Sequence, residues 1–178
     1  MKTTSACLLA LLASSLFLVS CSEKKKSTDI IAPKPVKIVR HSAPQSMSGF
    51  THTDKVEWLG QEYKVTVKRS SDNSSPAFKD ESGKRYYENR IELLIERHDG
   101  TEFLKQEFTK NSFQKFVEPQ YLEKYTVLGL AVLETEGNNM ALLASVGNPD
   151  ELSDDYVPIK ITVSRTGTIT MAKSDDIE

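Results

Sequence analysis

The sequence predicts a mainly β domain, an antiparallel meander forming a sandwich or open barrel with one short helix. Two observations carry that expectation: a period-two alternation of apolar and polar residues, and turn-forming residues placed between the alternating runs. In "EYKVTVKRS", Tyr63, Val65 and Val67 share one face while Lys64, Thr66 and Lys68 share the other. "YVPIKITVSR" repeats the pattern with Val157, Ile159, Ile161 and Val163 against Lys160, Thr162 and Ser164. One face of each strand therefore meets water, as in antiparallel sheets; parallel strands covered on both sides read as unbroken apolar runs.

The turns follow in chain order. Gly60-Gln61 links "KVEWL" to "EYKVTV", and Ser82-Gly83 turns the chain before "KRYYENR". Asp99-Gly100 separates "RIELLIER" from "TEFLKQEFT", Gly137-Asn138-Asn139 separates "VLGLAVLETE" from "MALLASVG", and Thr166-Gly167 lies between "IKITVSR" and "TITMAK". Each supplies the left-handed or tight backbone that a hairpin needs. Roughly seven to ten short strands result. One stretch breaks the alternation: in "KNSFQKFVEP", Ser112 is placed to cap a short helix that stops before Pro119, with Phe113 and Phe116 on one side to plug an open end of the sheet.

The amino-terminal residues carry a different signal. Met1 to Ser20 has a cationic start at Lys2 and then an apolar run interrupted only by small residues, the form of a secretory signal. The apolar run is shorter than the ~20 residues that cross a bilayer. Leu18-Val19-Ser20-Cys21 resembles the lipobox of bacterial lipoproteins, which implies a signal peptide over 1–20 and lipidation, palmitate included, at Cys21. Acyl burial contributes about 0.8 kcal/mol per CH₂, so two or more long chains anchor durably. Cys7 and Cys21 are the two cysteines of the chain, so the folded part is expected to hold neither a disulfide nor a thiolate metal site.

Residues 21–50 read as a lipidated tether: Lys24-Lys25-Lys26, Pro33, Pro35, Pro44 and several serines leave little to bury. Such a segment extends on the order of 90 Å when straight. "PVKIVR" (Pro35 to Arg40) alternates enough to add a strand to a sheet edge. A single β-rich domain is expected over 51–178.

Chemical signatures are sparse. Net charge is −2, from 23 Lys+Arg against 25 Asp+Glu, which gives nucleic acid no purchase. The sequence holds no G-x-S-x-G, H-E-x-x-H or P-loop pattern, so no catalytic residue, cofactor or metal is assigned, and an enzyme is the weaker expectation. A glycan-directed hydrolase stays open, since its two carboxylates come from distant strands. The loop "NPDELSDDY" gathers Asp150, Glu151, Asp154 and Asp155, which leaves Ca²⁺-dependent ligand binding as another alternative, although the spacing fails the EF-hand pattern. His41, His52 and His98 lack ligand-spaced partners. Trp58, Tyr63, Tyr86 and Tyr87 offer either a sugar-stacking platform or core packing.

Tyr63-x-Val65-x-Val67, "SGKRYYENRIELLIER" with Asp99-Gly100, "FTKNSF" and "LLASVGNPDELSDDYVPIKITVSRTG" together resemble a family of small Bacteroidetes-type lipoproteins classed as a domain of unknown function. The resemblance spans nearly all of residues 51 to 178 and implies an exported, strand-rich domain with no assigned activity. Ser22 after the lipidated residue is similar to the type sent to the outer membrane, which favours its periplasmic face. The expected function is that of a lipid-anchored cell-envelope protein: a binding or interaction module whose partner, beyond the membrane itself, is an envelope protein or a glycan.

Overall fold

A computed structural model describes residues 43–174. The predicted signal peptide, Cys21, and the tether through residue 42 lie outside the described residues.

Ten strands form, β1 (Phe50–Trp58), β2 (Gln61–Asp72), β3 (Phe78–Lys79), β4 (Arg85–Tyr86), β5 (Glu88–Arg97), β6 (Glu102–Phe108), β7 (Thr126–Glu136), β8 (Asn139–Gly147), β9 (Tyr156–Ser164) and β10 (Ile169–Lys173). They make three antiparallel sheets, β1-β2-β5-β6, β10-β9-β8-β7 and the two-stranded ribbon β3-β4. The chain is mainly β and antiparallel, as the sequence predicts, and the sheets do not close into a barrel among the described residues. The first four-stranded sheet is interrupted in sequence only by the β3-β4 ribbon, the second is contiguous, and the chain passes from one to the other through residues 109–125.

The alternation read from sequence sets the faces. Val65 and Val67 of β2 meet Ile95 and Leu93 of β5 across the ladder, and all four are buried. From the second sheet, Met140, Leu142, Ala144 and Val146 of β8 and Ile159, Ile161 and Val163 of β9 complete the same core. Trp58, Tyr63 and Phe103 pack at ring separations of 5.1 to 5.7 Å at one end of it.

The segment between the sheets differs from its predicted form. Lys110–Phe113 makes a single 3₁₀ turn, in which the Ser112 hydroxyl accepts from the Thr109 N–H at 3.1 Å instead of capping a helix that follows it. Pro119 begins helix α1 (Pro119–Leu122) rather than ending one, because its missing N–H costs nothing at a helix start. The plug is real all the same: Phe113 is fully buried and stacks on Phe108 at 5.7 Å. The β1–β2 turn sits one residue earlier than predicted, at Leu59 and Gly60, with φ of 55° and 73°. Two positive φ values in a two-residue hairpin are the geometry that matches strand twist.

A buried polar node ties the two sheets where β5 and β7 begin. The Thr126 hydroxyl accepts from the Asn89 backbone N–H at 3.0 Å and donates to Glu88 Oε2 at 3.1 Å. Asn89 Nδ2 donates to the Val127 carbonyl at 3.0 Å. Thr126→Val keeps the shape but leaves the Asn89 N–H and one Glu88 oxygen unpaired in the interior. A loss of about 1–3 kcal/mol in urea unfolding is expected, with the m-value unchanged.

Candidate functional site

A cleft lies at the end of the first sheet. Asp72 closes β2 and Glu88 opens β5, and the register sets them directly opposite each other. Two carboxylates at neighbouring positions repel unless each has its own cation, and each does. Arg90 Nη2 reaches Asp72 Oδ1 at 3.3 Å, while Lys110 Nζ, brought in by the 3₁₀ turn, reaches Glu88 Oε1 at 2.5 Å. The Lys110 ammonium also lies 4.7 Å from the centre of the Phe78 ring. Asp72 has further donors because the chain folds back on it: the Ser74 N–H at 3.0 Å and the Ser75 hydroxyl at 2.6 Å. Such local turns are what an Asp followed closely by serines produces.

These surroundings push the two carboxyls apart. Hydrogen bonds from Ser74 and Ser75, foremost among the causes, hold Asp72 well below the ordinary carboxylate range. Burial, the largest influence on Glu88, raises its pKa, and Lys110 opposes that rise. Between the cluster and the chain around it lies a cleft of about 420 Å³, also lined by Pro76, Ala77, Asn111 and Glu123. A hollow of about 280 Å³ adjoins it, bounded by Pro119 and Leu122 and sharing Lys110 and Glu123.

The residues singled out by sequence are dispersed. In the acidic loop, Asp150 pairs with Lys84 at 2.9 Å, and Asp155 accepts from the Tyr125 hydroxyl. Burial, and after it that bond, pushes the Tyr125 phenol far above its usual value. No three His, Cys, Asp or Glu side chains converge on a metal position among the described residues. His98 is exposed in its turn, and His52 is exposed and 3.0 Å from Asp54. Trp58, Tyr63 and Tyr86 are buried, so they pack the interior instead of forming a platform, and Tyr87 is half-buried. The cleft residues Asp72, Glu88 and Lys110 carry no local motif. Their only trace in the sequence is polar side chains at strand ends.

The outer faces of the two large sheets differ in character. On the first sheet, Lys55–Glu62 and Lys64–Glu96 pair at 2.9 Å and Lys68–Glu92 at 3.3 Å. On the second, the outward positions are Gly129 and Ala131 of β7, Ala141, Leu143 and Ser145 of β8, and Pro158, Lys160 and Thr162 of β9.

The fold and site together define a two-sheet antiparallel β domain with a charged cleft whose carboxylates are already bound by the protein's own donors. The chain belongs to the family described as Domain of unknown function (DUF4738), whose sequence pattern matches residues 30–171. No curated protein matches it.

Lys110→Met leaves a buried carboxylate without its cation, and a loss of about 3–5 kcal/mol is expected in urea unfolding. Pairing it with Glu88→Gln returns part of that loss. The pH dependence has a defined sign for each carboxyl. Asp72, held below its unfolded value near 3.8, contributes stability that is present above that pH and lost as pH falls below it. Glu88, raised above 4.5, costs stability as pH rises from there through its folded pKa. Asp72→Asn should therefore flatten the acid limb of a melting-temperature profile below about pH 3.8, and Glu88→Gln the opposite slope above 4.5. Millimolar Ca²⁺ should leave the melting temperature unchanged, because Asp150 and Asp155 are held by separate partners.

Proposed function

We propose that the chain is a bacterial cell-envelope lipoprotein, held on the outer membrane through acylated Cys21 and facing the periplasm, whose β domain binds a short neutral glycan in the cleft at the end of the first sheet. The observation that carries the binding role is the commitment of the cleft's charges. Asp72 is taken by Arg90, Ser74 and Ser75, and Glu88 by Lys110 and Thr126. Both carboxyls are tied to the protein's own donors, which speaks against the hydrolase alternative. Arg90 and Lys110 offset Asp72 and Glu88, Glu123 leaves one carboxylate over at the rim, and Phe78, Pro76 and Ala77 supply apolar surface beside it. That combination suits a ligand with hydroxyls on its edges and C–H surface on its faces. The adjoining hollow lengthens the site beyond a single unit.

The anchor rests on the Leu18-Val19-Ser20-Cys21 sequence after an apolar signal-like segment. Cys21→Ser should move the protein from the membrane fraction of its host to the soluble fraction. Retention of the variant in the membrane, or an intact mass without acyl groups, refutes the anchor. For the cleft, calorimetry of the full chain with neutral oligosaccharides of two to four units should give saturable binding. Asn111→Ala or Glu123→Gln should weaken it about tenfold, the equivalent of one hydrogen bond of about 1.4 kcal/mol. Binding that survives both changes, or that is found only with charged saccharides, refutes the glycan reading.

A further inference from the structure

We infer that Glu123 selects the ligand of the cleft by its vicinal hydroxyls, so that the glycan is a hexose oligomer with a free diol on an interior unit and not a polymer of N-acetylated amino sugars. The inference rests on the glycan reading of the cleft and adds which glycan is taken. It starts from the side chains that the fold leaves uncommitted there. Asp72, Ser75, Glu88 and Lys110 are engaged with partners in the chain. Lys124, next to Glu123 in sequence, pairs with Glu81 at 3.5 Å, and Lys110, which lines both hollows together with Glu123, pairs with Glu88. Glu123 is thereby exposed without a cation among the described residues. Asn111 gives its backbone carbonyl to the Gln114 N–H at 3.4 Å, and its side-chain amide makes no hydrogen bond among the described residues.

Both free polar groups come from the segment between the two large sheets, whereas the apolar lining, Pro76, Ala77 and Phe78, comes from the stretch that follows β2. The Lys110 ammonium, 4.7 Å from the centre of the Phe78 ring, joins the two stretches. A sugar ring seated between them sets its C–H face on the apolar stretch and turns its hydroxyls toward Glu123 and Asn111. The two side chains read different things. A carboxylate only accepts, through two oxygens side by side, so hydroxyls on neighbouring carbons satisfy both at once. An acetamido group in place of one hydroxyl substitutes a bulkier donor and brings a carbonyl oxygen, a further acceptor, beside the carboxylate. The Asn111 amide has donors and an acceptor, and so takes a hydroxyl or an acetamido group alike. Selection therefore falls to Glu123. Its place decides which sugar unit it reads. Glu123 lines both the cleft of about 420 Å³ and the adjoining hollow of about 280 Å³, so the unit beside it continues on either side. An interior unit of a 1→4-linked hexose oligomer keeps an adjacent pair of hydroxyls, and one of a 1→3-linked oligomer does not. Since Glu123 is exposed, its selection is about tenfold, well short of the ~10⁴ that a buried reader reaches.

The test is calorimetry of the full chain with three neutral trisaccharides, cellotriose, tri-N-acetylchitotriose and laminaritriose. Cellotriose keeps the interior diol. Tri-N-acetylchitotriose has the same linkage with an acetamido group in place of one of those hydroxyls, and laminaritriose loses the adjacent pair without added bulk. Cellotriose should bind about tenfold more tightly than either. Glu123→Gln, an exposed change that keeps the size of the side chain, should cut that preference to about twofold, because an amide offers one acceptor where the carboxylate offers two. Asn111→Ala should weaken all three and keep their order. A preference of the same size in the wild-type chain and in Glu123→Gln overturns the assignment to Glu123. Equal affinities for the three trisaccharides, or tighter binding of either of the other two, overturn the inference and leave the glycan reading standing. Failure of all three to bind refutes that reading, and the inference falls with it.

Discussion

The arrangement of the two sheets depends on a few hydrogen bonds that no solvent reaches. Apolar packing alone holds two sheets together but permits sliding, since one valine-rich face fits another in several registers. The node formed by Asn89, Thr126, Glu88 and the Val127 carbonyl removes that freedom, because its three hydrogen bonds are made in one relative placement. Lys110 extends the node outward, so the same Glu88 that fixes the sandwich also shapes the floor of the cleft. Structural and candidate binding residues thus share atoms. A change at one is felt at the other.

The sandwich treats its surfaces unequally. Its first sheet is finished for water with lysine–glutamate pairs, each worth only tenths of a kcal/mol to stability but effective in discouraging contact. Its second sheet carries one such pair, Lys160–Glu134 at 3.6 Å across β8, among small and apolar outward residues. Stability of the monomer does not require this asymmetry, since the core is complete without it. The cleft at the end of the first sheet and the outer face of the second are distinct surfaces.

Much of the fold was legible because its signals are local. Period-two alternation identified β2 and β9 with their correct inner faces, and Asp99-Gly100 and Thr166-Gly167 marked hairpins that form as read. β7 was harder, because register shifts at Val127/Gly129 and Val132/Glu134 insert extra residues and break the alternation that a ladder would keep. Pro119 misled as a stop signal because proline ends one helix and begins another with equal ease, and only tertiary context separates the two. The cleft was invisible for a different reason. Asp72 and Glu88 are separated by the whole β3-β4 ribbon and become neighbours only through strand register, while Lys110 arrives from beyond β6. Spacing along the chain carries no trace of such an encounter.

The division of the chain into two consecutive meanders has a consequence for the order of assembly. Every strand pair within the first sheet is complete once residue 108 is available, and nothing after it is needed to satisfy those ladders. A polypeptide delivered through a narrow pore with its amino end leading can therefore zip its first half while the second is still threaded. Docking waits until Thr126 emerges to close the node. The β1–β2 hairpin is local and forms first, whereas the β2–β5 ladder, reaching from Asp72–Glu88 to Tyr63–Arg97, closes a longer loop and forms more slowly. The architecture is one that tolerates being made from one end.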